Sequence, residues 1–132
     1  MPIPIPANVK LKTKRSRAGL GLFAVEPIKR SSYVIEYVGT VVRGHAVDEL
    51  ANKYLFETSR FRMIDGSARS NIARYINHSC KPNCEAEIVA GRVFLRALRR
   101  IEAGEELSYD YGKEYFDMYI KPYGCRCAAC AK

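Results

Sequence analysis

Apolar and polar positions change register every few residues along this chain, and few stretches keep a helical period. Residues 20–25 (LGLFAV) and 33–42 (YVIEYVGTVV) are β-branched and aromatic runs that predict strands. Residues 44–52 (GHAVDELAN) are the best short-helix candidate, with Val47, Leu50 and Ala51 on one side. Residues 54–57 and 62–64 predict short strands, the second closing at the Asp65-Gly66 turn signal. Residues 71–77 (NIARYIN) predict one or two helical turns. Residues 86–90 and 92–98 flank Gly91 and predict a hairpin, and 106–111 (ELSYDY) predict another strand. Alternating prolines in MPIPIPANVK predict an extended arm over residues 1–8. The sum is a mainly β fold of several short sheets with few short helices.

A length of 132 residues fits one such domain, and there are no repeats or linkers to divide it. No apolar run approaches the ~18 residues of a membrane span, so no membrane association is expected. The first residues lack a continuous apolar segment, so no secretory signal is expected either. The net charge of +8 is unevenly placed. Residues 1–31 hold seven Lys/Arg against one acid, Glu26, whereas residues 102–117 hold six acids against one base, Lys113. The basic half suits nucleic acid or another anionic surface, and the acidic stretch suits a basic peptide.

Five cysteines, Cys80, Cys84, Cys125, Cys127 and Cys130, crowd toward the C-terminus. Without a secretory signal they read as reduced thiols, which favours metal ligation over disulfides. CRCAAC at 125–130 places three thiols within six residues, close enough to converge on one zinc ion. A tetrahedral site needs a fourth ligand; Cys80 is the first candidate, with Cys84, His78 and His45 behind it. A closed four-cysteine site would be structural, pinning the C-terminus to the domain.

Other patterns carry less chemistry. Residues 19–24 (GLGLFA) match G-x-G-x-x-A, but basic KLKTKRSR precedes them and Pro27 follows, where a dinucleotide site needs an apolar strand and a helix. These glycines read instead as turn or close-approach positions. His45 and His78 are the only histidines, and without a nucleophile elbow no Ser/His/Asp triad can be assembled. Nothing in the spacing pairs Asp65 with Glu36. Tyrosine is abundant, nine in all. Tyr109 and Tyr111 alternate in one strand candidate and so face the same side. With Tyr37 from another strand they would line an aromatic slot suited to an alkyl-ammonium.

Four blocks follow one another in order: AGLGLFA at 18–24, YVIEYVG at 33–39, NIARYINHSCKPNC at 71–84 and AGEELSYDYG at 103–112. In this the chain resembles the SET-domain family of protein-lysine methyltransferases over residues 9–130, and CRCAAC is similar to the family's post-SET cysteine cluster. The resemblance implies a SET fold with a threaded, pseudoknot-like core. It also implies a SET domain at 9–112 and a post-SET zinc-binding tail at 113–132. S-adenosylmethionine is the implied methyl donor. Ala18, Gly19 and Leu20 match the loop that holds its methionine moiety; Arg74, Asn77 and His78 match further donor positions, and Tyr54 resembles a tyrosine that also contacts it. Tyr111 matches the catalytic tyrosine, Tyr37 a tyrosine of the lysine channel, and Tyr109 the position that tunes how many methyl groups are added. Cys80, Cys125, Cys127 and Cys130 match the four zinc ligands. The last gap of the cysteine cluster, two residues here, is usually four in the family.

The implied reaction suits these residues. A lysine amine of pKa ≈ 10.4 must lose its proton, at a cost of about 4 kcal/mol near pH 7.5. An apolar aromatic channel and a nearby sulfonium both lower that pKa, after which in-line positioning remains. A Tyr109 hydroxyl in the channel predicts mainly mono- or dimethylation. The expected substrate is a basic protein such as a histone or histone-like protein, and the expected location is the cytoplasm or chromatin. The alternative is a non-catalytic SET-fold module, stabilised by zinc, that binds nucleic acid or protein; Tyr111, Asn77 and His78 count against it.

Overall fold

The structure, a computed structural model, describes residues 3–17, 19–43, 54–59, 61–125 and 127. Among these, ten strands form four small sheets. β1 (Leu11–Ser16) and β2 (Gly19–Ala24) make an antiparallel ribbon running from Leu11 opposite Ala24 to Ser16 opposite Gly19. β1 carries no apolar alternation, because Lys12, Thr13, Lys14 and Arg15 are all exposed. It is a strand because β2, anchored by buried Leu22 and Ala24, offers it an edge. The other edge of β2 meets residues 104–107: Leu107 N–H donates to the Leu22 carbonyl (2.8 Å) and Ala24 N–H to the Glu105 carbonyl (2.9 Å).

The run at 33–42 is two strands in two sheets. β3 (Tyr33–Tyr37) and β8 (Cys84–Val89) flank β9 (Arg92–Ala97), and all pairings are antiparallel. β9 is the middle strand, and Val93, Phe94 and Leu95 in succession are fully buried, as a strand covered on both faces requires. The hairpin reading of 86–98 holds. Val89 faces Arg92, and Ala90 and Gly91 form a two-residue loop with φ of 51° and 75°, the mirror-image turn that matches strand twist. β4 (Thr40–Arg43) and β5 (Leu55–Ser59) flank β6 (Arg62–Asp65). The break between β3 and β4 is held by a side chain, since Val38 N–H donates to Asn71 Oδ1 (3.1 Å).

A 3-10 turn at Ile72–Tyr75 leads into β7 (Asn77–His78), which pairs in parallel with β10 (Ser108–Tyr109). The expected strand at 106–111 thus shrinks to two residues plus an isolated bridge at Glu106. Buried Asn83 takes over from the ladder there, accepting from Ser108 N–H (2.9 Å) and donating to the Glu106 carbonyl (2.8 Å). The tail continues as short helical turns at Lys113–Tyr115, Phe116–Ile120 and Lys121–Tyr123. The helix expected at 44–52 lies outside the described residues. One core, built around Leu22, Val34, Ile76, Leu95, Ile101 and Leu107, joins the sheets. Among the described residues no helix is long and apolar enough to cross a membrane.

Candidate active site and metal cluster

Four elements deliver aromatic rings to one place. Tyr37 ends β3, Phe56 comes from β5, Tyr109 from β10, and Tyr111 and Tyr115 from the segment after it. Successive ring centroids are 5.5 Å apart for Tyr37 and Phe56, 6.4 Å for Phe56 and Tyr109, 4.7 Å for Tyr109 and Tyr111, and 4.9 Å for Tyr111 and Tyr115. Tyr37 hydroxyl donates to the Tyr54 carbonyl (2.5 Å) and Tyr111 hydroxyl to the Ile76 carbonyl. Burial, with the neighbouring phenols adding to it, pushes the hydroxyls of Tyr37, Tyr109 and Tyr111 well above the ordinary phenol range. These tyrosines are neutral at physiological pH, so none serves as a phenolate base. They form an apolar wall in which the Tyr37 and Tyr111 hydroxyls are held by backbone carbonyls.

Beside the β1–β2 turn lies a cleft of about 360 Å3 lined by Arg15, Ser16, Gly19 and Leu20. Asn77 fixes its position from β7, donating to the Leu20 carbonyl (3.0 Å) and to Glu106 Oε2 (2.8 Å), while Ser16 hydroxyl donates to Glu106 Oε1 (2.7 Å). The hairpin, β7 and the segment before β10 are therefore locked through one carboxylate. Arg74 stacks over Tyr54 (4.1 Å) and donates from Nη1 to the Ser67 carbonyl (2.7 Å). Its Nε is buried and has no hydrogen-bond partner among the described residues, a donor suited to an anionic or carbonyl group. Ala18 lies outside the described residues.

His78, Cys80 and Cys125 place their ligand-type atoms within 4.8 Å of one another, a cluster able to hold a metal ion. Cys80 Sγ is 4.0 Å from Cys125 Sγ, near the ~3.8 Å edge of a tetrahedron with Zn–S bonds of about 2.3 Å. Cys127 is half-buried and stands outside that trio, and Cys130 and His45 lie outside the described residues. Cys84 is a different kind of thiol: it is fully buried in the core, and burial pushes it up to about 12. Glu36 forms a surface ion pair with Arg92 (2.6 Å), and Asp65 accepts from Ser67 N–H (3.1 Å), so these two carboxylates are not a catalytic pair.

Several contributors were not read from the sequence. Phe56 had a signal, because Tyr54 and Phe56 alternate. Glu106 was one acid in a charged run, and only the fold brings Ser16 and Asn77 to it. The same run is largely spent internally, with Glu102 on Arg100, Glu105 on Arg99 and Asp117 on Lys113. Asn71 and Asn83, both buried, act as backbone substitutes, and sequence offers no sign of that.

Comparison with known proteins follows the same lines. The family model described as SET domain matches residues 19–112. The chain is 40% identical over 128 residues to "Histone-lysine N-methyltransferase trr" of Drosophila melanogaster, covering 86% of this chain and 5% of that protein. It is 39% identical over 132 residues to "Histone-lysine N-methyltransferase 2D" of Homo sapiens, covering 87% of this chain and 2% of that one. For "Histone-lysine N-methyltransferase ATXR7" of Arabidopsis thaliana the figures are 37% over 123 residues, 83% and 8%. The chain thus spans a small fraction of the length of these relatives.

Proposed function

The chain belongs to the SET-domain family, and on that premise we propose that it is a protein-lysine N-methyltransferase using S-adenosylmethionine. The observation that carries this reading is the neutral aromatic wall of Tyr37, Phe56, Tyr109 and Tyr111. S-adenosylmethionine, when bound, supplies an electrophilic methyl carbon on a sulfonium. Gly19 and Leu20, held by Asn77, are the residues we assign to its methionine end, together with Ala18. Arg74, whose Nε has no partner among the described residues, Tyr54 and His78 complete the donor set.

The wall's part is to make an ammonium unfavourable, so that the substrate lysine enters neutral. Tyr37 shapes the channel, and Tyr111 hydroxyl orients the reacting groups. With the donor bound, the neutral amine held against this wall would take the methyl group from the sulfonium, releasing the thioether, and its surplus proton would pass to water. Tyr109 limits the product to mono- or dimethyl-lysine. Cys80, Cys125, Cys127 and Cys130 are assigned to zinc in a closed structural site that orders residues 113–132. The substrate is a histone or similar basic protein and the location chromatin, a reading supported by relatives that are histone-lysine N-methyltransferases.

Intact mass spectrometry of histones incubated with the protein and donor tests this. Methyl additions on lysine are expected, falling on the order of 10²–10³-fold in a folded Tyr111→Phe variant, as for loss of one positioned donor. Full activity in that variant would remove Tyr111 from the mechanism. A protein that binds the donor and methylates neither histones, other basic proteins nor itself would favour the non-catalytic module.

A further inference from the structure

We propose that His78 is not a metal ligand but a hydrogen-bonded link, through which the thiolate of Cys80 holds the backbone of Tyr111. The inference rests on the zinc and Tyr111 assignments above and concerns how the two are joined. By distance alone His78 would be the third ligand, since its Nε2 lies 3.5 Å from Cys80 Sγ. The other ring nitrogen decides otherwise. Tyr111 N–H donates to His78 Nδ1 at 3.1 Å, so Nδ1 presents a lone pair. A neutral imidazole has one N–H, which must then be on Nε2. A protonated nitrogen has no lone pair for a metal, but it can donate to sulfur.

The opposite tautomer is disfavoured by what surrounds the ring. It would point Nδ1–H at the N–H of Tyr111, donor against donor. Among the described residues the carboxylate found beside that nitrogen is Asp110, whose Oδ1 lies 3.8 Å from Nδ1, beyond hydrogen-bond reach, and already accepts from Gly112 N–H (2.9 Å). The ring has little freedom to turn. Its side chain is 6% exposed, and it packs between Tyr111 (5.4 Å between centroids) and Phe116 (5.3 Å). The parallel pairing of His78 with Tyr109, and the bond from Ser79 N–H to the Tyr109 carbonyl (3.1 Å), fix its backbone beside the aromatic wall.

The arrangement gives His78 two duties. Its Nε2–H stabilises and aims the Cys80 thiolate, as partners behind metal ligands do. Its Nδ1 accepts from the backbone N–H of Tyr111, the residue assigned the catalytic hydroxyl. Metal binding turns Cys80 into a strong acceptor and locks the tautomer that holds Tyr111. Loss of the metal leaves a weakly accepting thiol and relaxes that hold. His78 is thus a positioning residue in this linkage, and metal occupancy is communicated to the catalytic tyrosine through one ring.

The test uses the full chain, labelled with 15N and loaded with zinc or 113Cd. Long-range 15N–1H spectra are expected to show His78 protonated at Nε2, and the cadmium resonance to lie in the all-thiolate region. Zinc is expected to slow exchange of the Tyr111 amide. In His78→Phe that slowing should vanish, and chelator competition should show zinc affinity reduced about 10- to 100-fold. His78→Gln, which can donate to sulfur, should recover affinity without the Tyr111 effect. A cadmium resonance in the mixed nitrogen–sulfur region, coupled to His78 15N, or a ring protonated at Nδ1 in the loaded protein, would overturn the proposal. Either would leave the methyltransferase reading and the metal site standing. A chain that retains no metal at all would overturn the zinc assignment and this linkage together. The wild-type spectra decide even if the Phe variant does not fold.

Discussion

Tyr109 is 7% exposed, with its ring in tilted contact with Phe56 and Tyr111, and burial keeps its hydroxyl protonated. A neutral O–H in a lysine channel holds water or the amine and occupies room that added methyl groups need. Replacing Tyr109 with Phe removes one oxygen and little else, so turnover should persist while products move toward higher methylation. Intact mass spectra of the product measure this directly, and an unchanged methyl pattern would take Tyr109 out of product control. The pairing of Tyr109 with Tyr111 was legible because alternation in an extended segment is a local property. The role of Glu106 was not, since the donors that use it come from residues 16 and 77.

Elements meet the site through close backbone approaches. Gly66 follows β6, and its N–H donates to the Tyr54 carbonyl (3.0 Å), the same oxygen that accepts the Tyr37 hydroxyl. A Cβ on Gly66 would lie 2.3 Å from Cε1 of Tyr37 and 2.6 Å from Nδ2 of Asn71. Both neighbours are buried and hydrogen-bonded, so they cannot move aside freely. Gly66→Ala should destabilise the domain by about 1–3 kcal/mol, the usual range for overpacking, and should weaken activity by displacing Tyr37. Thermal unfolding checks the first effect, and a variant with an unchanged Tm would mean that Tyr37 is not clamped by this turn. Asp65-Gly66 was readable as a turn; that the turn would press against Tyr37 was not. The same limit applies to β1, whose basic residues show no strand pattern until β2 lies beside them.

Across the whole molecule the charge divides into paired and unpaired sets. Arg92, Arg96, Arg99 and Arg100 are matched with Glu36, Glu87, Glu105 and Glu102. Lys12, Lys14 and Arg15 are exposed on β1 and take part in no ion pair among the described residues, and Lys14 only leans on Phe23 (4.6 Å). We infer a phosphate-binding face on this ribbon, next to the cleft lined by Arg15, Ser16, Gly19 and Leu20. Duplex DNA binding should weaken with salt, and the double change Lys12→Ala, Lys14→Ala should flatten the log–log slope by roughly 1.8, at about 0.9 per phosphate contact. Anisotropy titrations over a salt series measure that slope. No change on substitution would mean the ribbon is merely solvated.

What the sequence alone determined was local: short strands, the hairpin around Gly91, the alternating tyrosines, and the ordered motifs that mark the SET-domain family. Each is written in residues a few positions apart, where backbone geometry and side-chain alternation act directly. Tertiary structure decided the rest. It split residues 33–42 between two sheets, turned a basic stretch into a strand, and sent Cys84 into the core while Cys80 faced Cys125. It also placed one histidine between a thiol and a tyrosine amide. Those outcomes depend on which distant groups share a hydrogen bond or a desolvated space, and only chain folding brings them together.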